Sequence, residues 1–214
     1  MIKEVVKQSI IYRKWSNYVT KAKQFKEDKI AIETWEKNGR PAPPPQIFKR
    51  LEIKEYAKEH QIKILVETGT YLGETVDYFK DFFKKIISIE LDHKLYARAK
   101  EKFSKEKHIQ IYQGDSGDAI QNIIENISEP CLFWLDGHYS EGITAKGELN
   151  TPIIKELDHI FNHKVDNHII LIDDARCFTG NDDYPTIEFL RNYIKQKDSS
   201  LKFSVKDDII RVHK

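Results

Sequence analysis

Cysteine is almost absent from this sequence: its 214 residues contain two, Cys131 and Cys177. They follow neither a metal-ligand nor a redox spacing, and beside apolar, strand-like runs each reads as a reduced core thiol. Long apolar runs are missing as well. The most apolar stretches, such as HIILID at 168–173, span a handful of residues, against roughly 20 for a bilayer-crossing helix. Nor is there a surplus of charge. Thirty-five basic residues face 34 acidic ones, a formal charge of +1, so no bulk field recruits nucleic acid or an anionic membrane. The opening stretch, MIKEVVKQSIIYRKW, mixes charges into every turn and lacks the apolar centre and small-residue cleavage site of a secretory signal. A soluble, cytoplasmic protein is the expectation.

What is present has the size of one domain, or of one domain with an appendage. Residues 1–40 carry Trp15, Tyr18, Val19, Ala22 and Phe25 at helical spacing among many lysines, which predicts a helix ending at Asn38-Gly39. The run RPAPPP, Arg40 to Pro45, is a stiff extended connector, and a short helix follows from about Gln46 to His60. Residues 1–45 are therefore expected to form an N-terminal arm. It packs on the main domain, borders a substrate entrance or joins a homodimer; the sequence does not choose among these.

From Ile62 onward the rhythm changes. Short β-rich runs at 62–68, 84–90, 108–114, 131–137 and 168–174 alternate with amphipathic segments, the signature of an α/β domain of residues 46–214. Leu72, Val76, Phe79 and Phe83 form one apolar stripe, and Ile120, Ile123, Ile124 and Ile127 another, so each intervening helix offers one face to a sheet. Two further helices are expected, at 151–161 and 184–194. In the first, Thr151 serves as N-cap with Pro152 at the first helical position, and YPT repeats the device in the second. LKFSV, the turn Lys206-Asp207-Asp208 and IIRVH predict a closing antiparallel hairpin. The fold expected is a Rossmann-like, doubly wound sheet of seven strands, mostly parallel, with helices on both faces.

In such a sheet the ligand meets the loops at the carboxyl ends of the strands, near the point where strand order reverses. The first of those loops is LVETGTYLGET, Leu65 to Thr75. It fails the G-x-G-x-x-G dinucleotide pattern, because Gly69 and Gly73 are separated by three residues. It also fails the triphosphate-loop pattern, because Glu74, not lysine, follows Gly73. Glu67 and Glu74 would repel a phosphate and suit a ligand that is cationic where it meets the loop.

ETGTYLGET resembles the acidic-x-Gly-x-x-x-Gly motif of class I S-adenosylmethionine-dependent methyltransferases, over about residues 62–214. The resemblance implies that Gly69 and Gly73, with Tyr71 between them, let the backbone approach S-adenosylmethionine, with Glu67 near its amino acid end. It also implies that Glu90, 23 residues beyond Glu67, accepts hydrogen bonds from both ribose hydroxyls, and that Asp115 reads the adenine amino edge with Ser116 beside it. Each residue has a plainer alternative. Glu67 suits a strand-end cap, Asp115 or Ser116 an N-cap, and Glu90 a solvated acid; their coincidence at three successive strand ends favours cofactor binding.

WLDGHYS places Asp136 at the end of the fourth strand, and LIDDAR places Asp173 and Asp174 at the end of the fifth. Neighbouring strands lie about 4.8 Å apart, so these carboxylates can converge on one hard divalent cation, for which magnesium is the natural candidate. D-G-x-Y followed by I-D-D resembles the macrocin-type metal-dependent sugar O-methyltransferases, and the resemblance implies that Asp136, Asp173 and Asp174 hold the metal. The general base of that group lies two residues after the first aspartate. Here that position is His138 instead of an acid, and an imidazole that titrates near neutral pH suits the task. The plainer reading has these aspartates as helix caps and His138 as a loop residue. HYSEGITAKGELN, 138–150, flanked and interrupted by Gly137, Gly142 and Gly147, suits a lid or a mobile loop. Tyr139, Lys146, Glu148 and Arg176 lie where an acceptor would be met, while His159 and His163 are read as surface residues.

The function expected is methyl transfer from S-adenosylmethionine to a hydroxyl of a small molecule or saccharide, assisted by magnesium. Two alternatives stand beside it: a non-catalytic cofactor-binding or scaffold protein with the same fold, and a metal-dependent hydrolase that uses the acidic cluster alone.

Overall fold

A computed structural model describes residues 22–137 and 151–214. The chain divides after Phe48 into two compact units. In the first, residues 22–37 are helical (α1) and end in a turn at Asn38 and Gly39, where Gly39 takes φ +81°. Trp35 Nε1 donates to the Pro41 carbonyl at 2.7 Å, fastening the start of the proline-rich connector to the helix. Residues 1–21 of the expected arm lie outside the described residues.

Helix α2, Gln46–Glu59, begins before the division and runs into the second unit. There the elements alternate: β1 Ile64–Thr68, α3 Glu74–Phe79, β2 Lys85–Glu90, α4 His93–Lys102, β3 Ile109–Gln113, α5 Ser116–Ile124, β4 Leu132–Leu135, α6 Ile153–Phe161, β5 Ile169–Ile172, α7 Ile187–Lys197, β6 Lys202–Lys206 and β7 Ile209–His213. The seven strands form one sheet in the order β3-β2-β1-β4-β5-β7-β6. Five strands are parallel, and β7 pairs antiparallel with both β5 and β6. The chain winds outward from β1 to β3, then restarts at β4 on the other side, so the reversal falls between β1 and β4.

The strands read as unbroken apolar runs because helices cover both faces. Every residue of β1, β4 and β5 is buried. Ile120, Ile124 and Ile127 from the α5 region, and Leu157 and Ile160 from α6, complete one core with Val66, Phe133 and Ile170 of the sheet. Of the stripe Leu72, Val76, Phe79 and Phe83, the last three are buried, whereas Leu72, in the turn before α3, is half-buried.

Two helix starts differ from expectation. Helix α6 begins at Ile153, with Pro152 as its cap residue and Thr151 Oγ1 accepting from Ile153 N at 3.4 Å. Helix α7 begins at Ile187 with Thr186 as the cap, its hydroxyl accepting from Phe189 N. A hydroxyl competes better for free helical N–H groups than Tyr184 can, and the Tyr184 ring instead packs edge-on against Phe178. Among the described residues no helix is long and apolar enough to cross a membrane.

Candidate active site

The loop after β1 turns sharply because Gly69, Tyr71 and Gly73 all take positive φ, at +87°, +49° and +67°. Its backbone is fastened to β2: Gly69 N and Thr70 N donate to the Ile89 carbonyl at 2.9 and 3.2 Å. Tyr71 N donates to Glu90 Oε2 at 2.7 Å, and Asp92 N to Glu90 Oε1 at 2.9 Å. Glu90 is therefore not the solvated acid of the plainer reading. Only 5% exposed, it spans the loop and the start of the α4 region with one oxygen each. Burial raises its pKa against the lowering influence of those backbone donors. A carboxylate has roughly four lone-pair positions, so two accepted bonds leave capacity for further donors. The Tyr71 side chain stands 46% exposed at the tip.

Glu67 lies behind this loop. It is 2% exposed and accepts from Ser88 Oγ at 2.6 Å, while Ser88 Oγ lies 2.6 Å from Thr70 Oγ1. Burial pushes its carboxyl up to about 8, with the Ser88 hydroxyl pulling the other way. At neutral pH it is largely a neutral acid that supports the loop from within. The two loop glycines answer to different neighbours. A Cβ on Gly69 would stand 2.5 Å from the carbonyl oxygen of Asp136, and one on Gly73 would stand 2.8 Å from the Phe103 ring. Gly69 thus lets the heads of β1 and β4 touch, and Asp136 N donates to the Thr68 carbonyl at 3.2 Å at the same junction.

Asp115 is the N-cap of α5, its Oδ1 accepting from Gly117 N at 2.8 Å. Ser116 is buried behind it, and its hydroxyl hydrogen-bonds Glu156 of α6. Glu156 belongs to none of the sequence motifs above. It is 1% exposed, and burial pushes its carboxyl up to about 7 against hydroxyl bonds from Ser116 and Thr68. Its Oε1 has no partner among the described residues. The signal was present: an acid at position 156 falls inside the apolar stripe of Ile153, Leu157 and Ile160.

Across the reversal, Asp136, Asp173 and Asp174 come together, each offering an oxygen within 4.8 Å of the others'. Residue pairing across β4 and β5, Leu135 with Ile172, places both strand heads level. Asp174 takes φ +55°, a left-handed geometry that Asp tolerates better than most residues, and its N–H donates to Asp173 Oδ1 at 2.8 Å. Two cations enter the cluster. Arg176 donates to Asp174 Oδ1 at 2.7 Å and also pairs with Asp208. The other cation, Lys49 of α2, was not anticipated: its Nζ lies 2.6 Å from Asp173 Oδ2 and 3.3 Å from Asp174 Oδ1. Lys49 is 5% exposed and sits four and eight residues before Ile53 and Ala57, both buried. A lysine at that place in an apolar stripe is the signal that could have revealed it. Burial acts to lower the Lys49 pKa, but the aspartates outweigh it and the net shift is upward. For Asp173, burial and the neighbouring Asp136 push upward, and Lys49 opposes them. With a charged ammonium at 2.6 Å, a buried ion pair is the arrangement the geometry supports, and removing one partner of such a pair typically costs ~3–5 kcal/mol.

By donor chemistry the three aspartates fit a hard divalent cation, which takes carboxylate oxygens; Lys49 at Asp173, and Arg176 with it at Asp174, are the groups that would have to give way. His138, the predicted base, and the segment 138–150 with Tyr139, Lys146 and Glu148 lie outside the described residues. His163 is not a free surface histidine: its ring stacks on His168, with Nδ1 and Nε2 2.9 Å apart.

No family model matches this sequence, and no curated protein matches it. Solved structures do. A candidate caffeoyl-CoA O-methyltransferase from Staphylococcus aureus superposes with a TM-score of 0.57 at 14% identity, over 92% of this chain and 98% of the other. The O-methyltransferase TomG from Streptomyces achromogenes, solved with S-adenosylmethionine, gives 0.56 at 11% identity, over 86% and 87%. An O-methyltransferase from Bacillus cereus, solved with S-adenosylhomocysteine, gives 0.55 at 12%, over 87% and 90%. At such identities the likeness concerns the fold, and this chain has the fold of class I methyltransferases.

Proposed function

We propose that this protein is an S-adenosylmethionine-dependent methyltransferase that methylates a hydroxyl oxygen of a small molecule or saccharide. The observation that carries the reading is Glu90: an acid at the head of β2, clamped to the glycine loop through Tyr71 N at 2.7 Å, beside the reversal between β1 and β4 where this fold receives its ligand.

In this reading S-adenosylmethionine supplies an electrophilic methyl group, and the residues of the chain bind and align. Glu90 accepts from the ribose hydroxyls with its unused lone pairs. Gly69, Tyr71 and Gly73 shape the loop that faces the cofactor, with Glu67 supporting it through Ser88 and Thr70. Asp115 and Ser116 border the adenine. Alignment of nucleophile and methyl carbon is worth several kcal/mol in such displacements, and His138 is assigned to take the proton from the acceptor hydroxyl. Asp136, Asp173 and Asp174 are the residues that would hold magnesium, which when bound lowers the pKa of an attached hydroxyl.

Calorimetric titration of the full chain with S-adenosylhomocysteine tests the reading. Wild type binds, and Glu90→Gln binds about 30-fold more weakly, ~2 kcal/mol, because an amide nitrogen replaces one of two accepting oxygens. Absence of binding to folded wild-type protein overturns the proposal. Binding with no methyl transfer to any hydroxyl acceptor would instead favour the scaffold alternative.

A further inference from the structure

The aspartates at the head of β5 already meet two cations of the chain itself: Arg176, partly exposed, at Asp174, and Lys49, buried, between Asp173 and Asp174. Lys49 Nζ stands within 2.6 Å of Asp173 Oδ2 and 3.3 Å of Asp174 Oδ1, in a space where an oxygen from each of the three carboxylates lies within 4.8 Å of the others. Magnesium bonds oxygen at about 2.0–2.1 Å. An ion bound to these same oxygens would sit almost against the ammonium, and like charges that close in a buried site repel strongly. The two cations exclude each other. The lysine reaches the site from the buried face of α2, and the next residues of that helix are tied down separately: Arg50 pairs with Glu74, and Glu52 with Arg211. The long, flexible side chain is the part that can move while its helix stays.

We infer that Lys49 is an exchangeable internal cation: it fills the three-aspartate site in the metal-free protein and leaves it when a divalent ion enters. This rests on the reading of Asp136, Asp173 and Asp174 as the metal-holding residues. The lysine neutralises the adjacent Asp173 and Asp174 carboxylates without metal, and it weakens metal binding in inverse proportion to the fraction of molecules from which it has already swung away. Divalent-ion binding therefore releases a buried amine.

The test is manganese binding to the full chain, read from the electron paramagnetic resonance signal of free Mn2+, for wild type, Lys49→Met and Lys49→Arg. Removing the competitor is expected to tighten binding at least about tenfold in Lys49→Met, while Lys49→Arg, which keeps a cation, remains weak. Equal or weaker binding by Lys49→Met overturns the inference, as does the absence of binding by both wild type and Lys49→Met. Should Lys49→Met fail to fold, wild type decides: acetylation of the Lys49 amine, followed by mass spectrometry, is expected to rise about fivefold or more as Mn2+ is added up to 10 mM. A Lys49 that stays as protected as in metal-free protein overturns it. Binding of S-adenosylhomocysteine to the same samples, measured by calorimetry, is independent of these outcomes, so a failure here is separable from a failure of the methyltransferase reading.

Discussion

The two halves of the candidate site handle their acids in opposite ways. At the heads of β1 and β2, Glu67 and Glu90 are satisfied by neutral donors of the local chain: hydroxyls for Glu67, backbone N–H groups for Glu90. At the heads of β4 and β5, Asp173 and Asp174 meet, besides the one backbone donor Asp174 N, the charged ends of long side chains, Lys49 and Arg176. Backbone and short hydroxyl donors are fixed by the fold and stay when a ligand arrives. Long cationic side chains can trade places with one. The first half is thus held by donors fixed in the fold and the second by side chains that can swing, a division that would suit the proposed organic cofactor on one side and the proposed replaceable cation on the other.

The largest perturbation falls where the halves meet. Gly69 has φ +87° and would place a Cβ 2.5 Å from the Asp136 carbonyl oxygen. That oxygen is backbone at the end of a buried strand, with no flexible side chain to yield. Gly69→Ala must then push β1 from β4 or distort the loop, and a loss on the order of 4 kcal/mol is expected from combined backbone strain and overlap. Urea unfolding measures it; a loss below about 1 kcal/mol would mean that the two strand heads move independently.

Next in size is the charge state of the first half. Glu67 keeps its proton to about pH 8 when folded, whereas an unfolded glutamate releases it near pH ~4.3. Between those values the unfolded chain binds fewer protons, so stability falls as pH rises through this window. Glu67→Gln removes that contribution while keeping an acceptor for Ser88. The variant gains on wild type from pH 5 to pH 8, by about 3 kcal/mol at the upper end, because each pH step of one within the window is worth at most ~1.4 kcal/mol and the gain levels off as pH nears the folded value. Thermal melts across the range read the difference; parallel curves would show that Glu67 is ionised in the fold, and the contrast between the halves would be lost.

The sequence carried the fold because the β-rich runs, the apolar helix stripes and the terminal hairpin are all local patterns, and each of them formed. It also carried the coming together of Asp136 with Asp173 and Asp174, since adjacent strand ends follow from strand order. What it did not carry depends on which way a side chain turns and on distant partners. Nothing in ETGTYLGET says that Glu67 faces inward to Ser88, 21 residues away. The separation of 124 positions between Lys49 and Asp173 hides a contact that only the packing of α2 creates. Glu156 was obscured for a related reason: buried carboxyls are rare enough that an acid in an amphipathic stripe is first read as solvated.

The smallest effect separates the two glycines of the loop. Gly73 shares with Gly69 a positive φ, +67°, but the neighbour that a Cβ would meet is the Phe103 ring at 2.8 Å. An aromatic side chain can rotate by a few tenths of an ångström where a strand carbonyl cannot, so Gly73→Ala should cost chiefly the left-handed backbone term, about 1–2 kcal/mol. Gly73 is the cap residue of α3, and the neighbours its Cβ would meet, Phe103 and Lys102, include neither Glu90 nor a β4 residue. Affinity for S-adenosylhomocysteine should then fall less than about fivefold in Gly73→Ala, a change of ~1 kcal/mol. If Gly73→Ala instead destabilised as much as Gly69→Ala, Phe103 would be as immobile as the sheet, and the loop would be one rigid body from Gly69 to the start of α3.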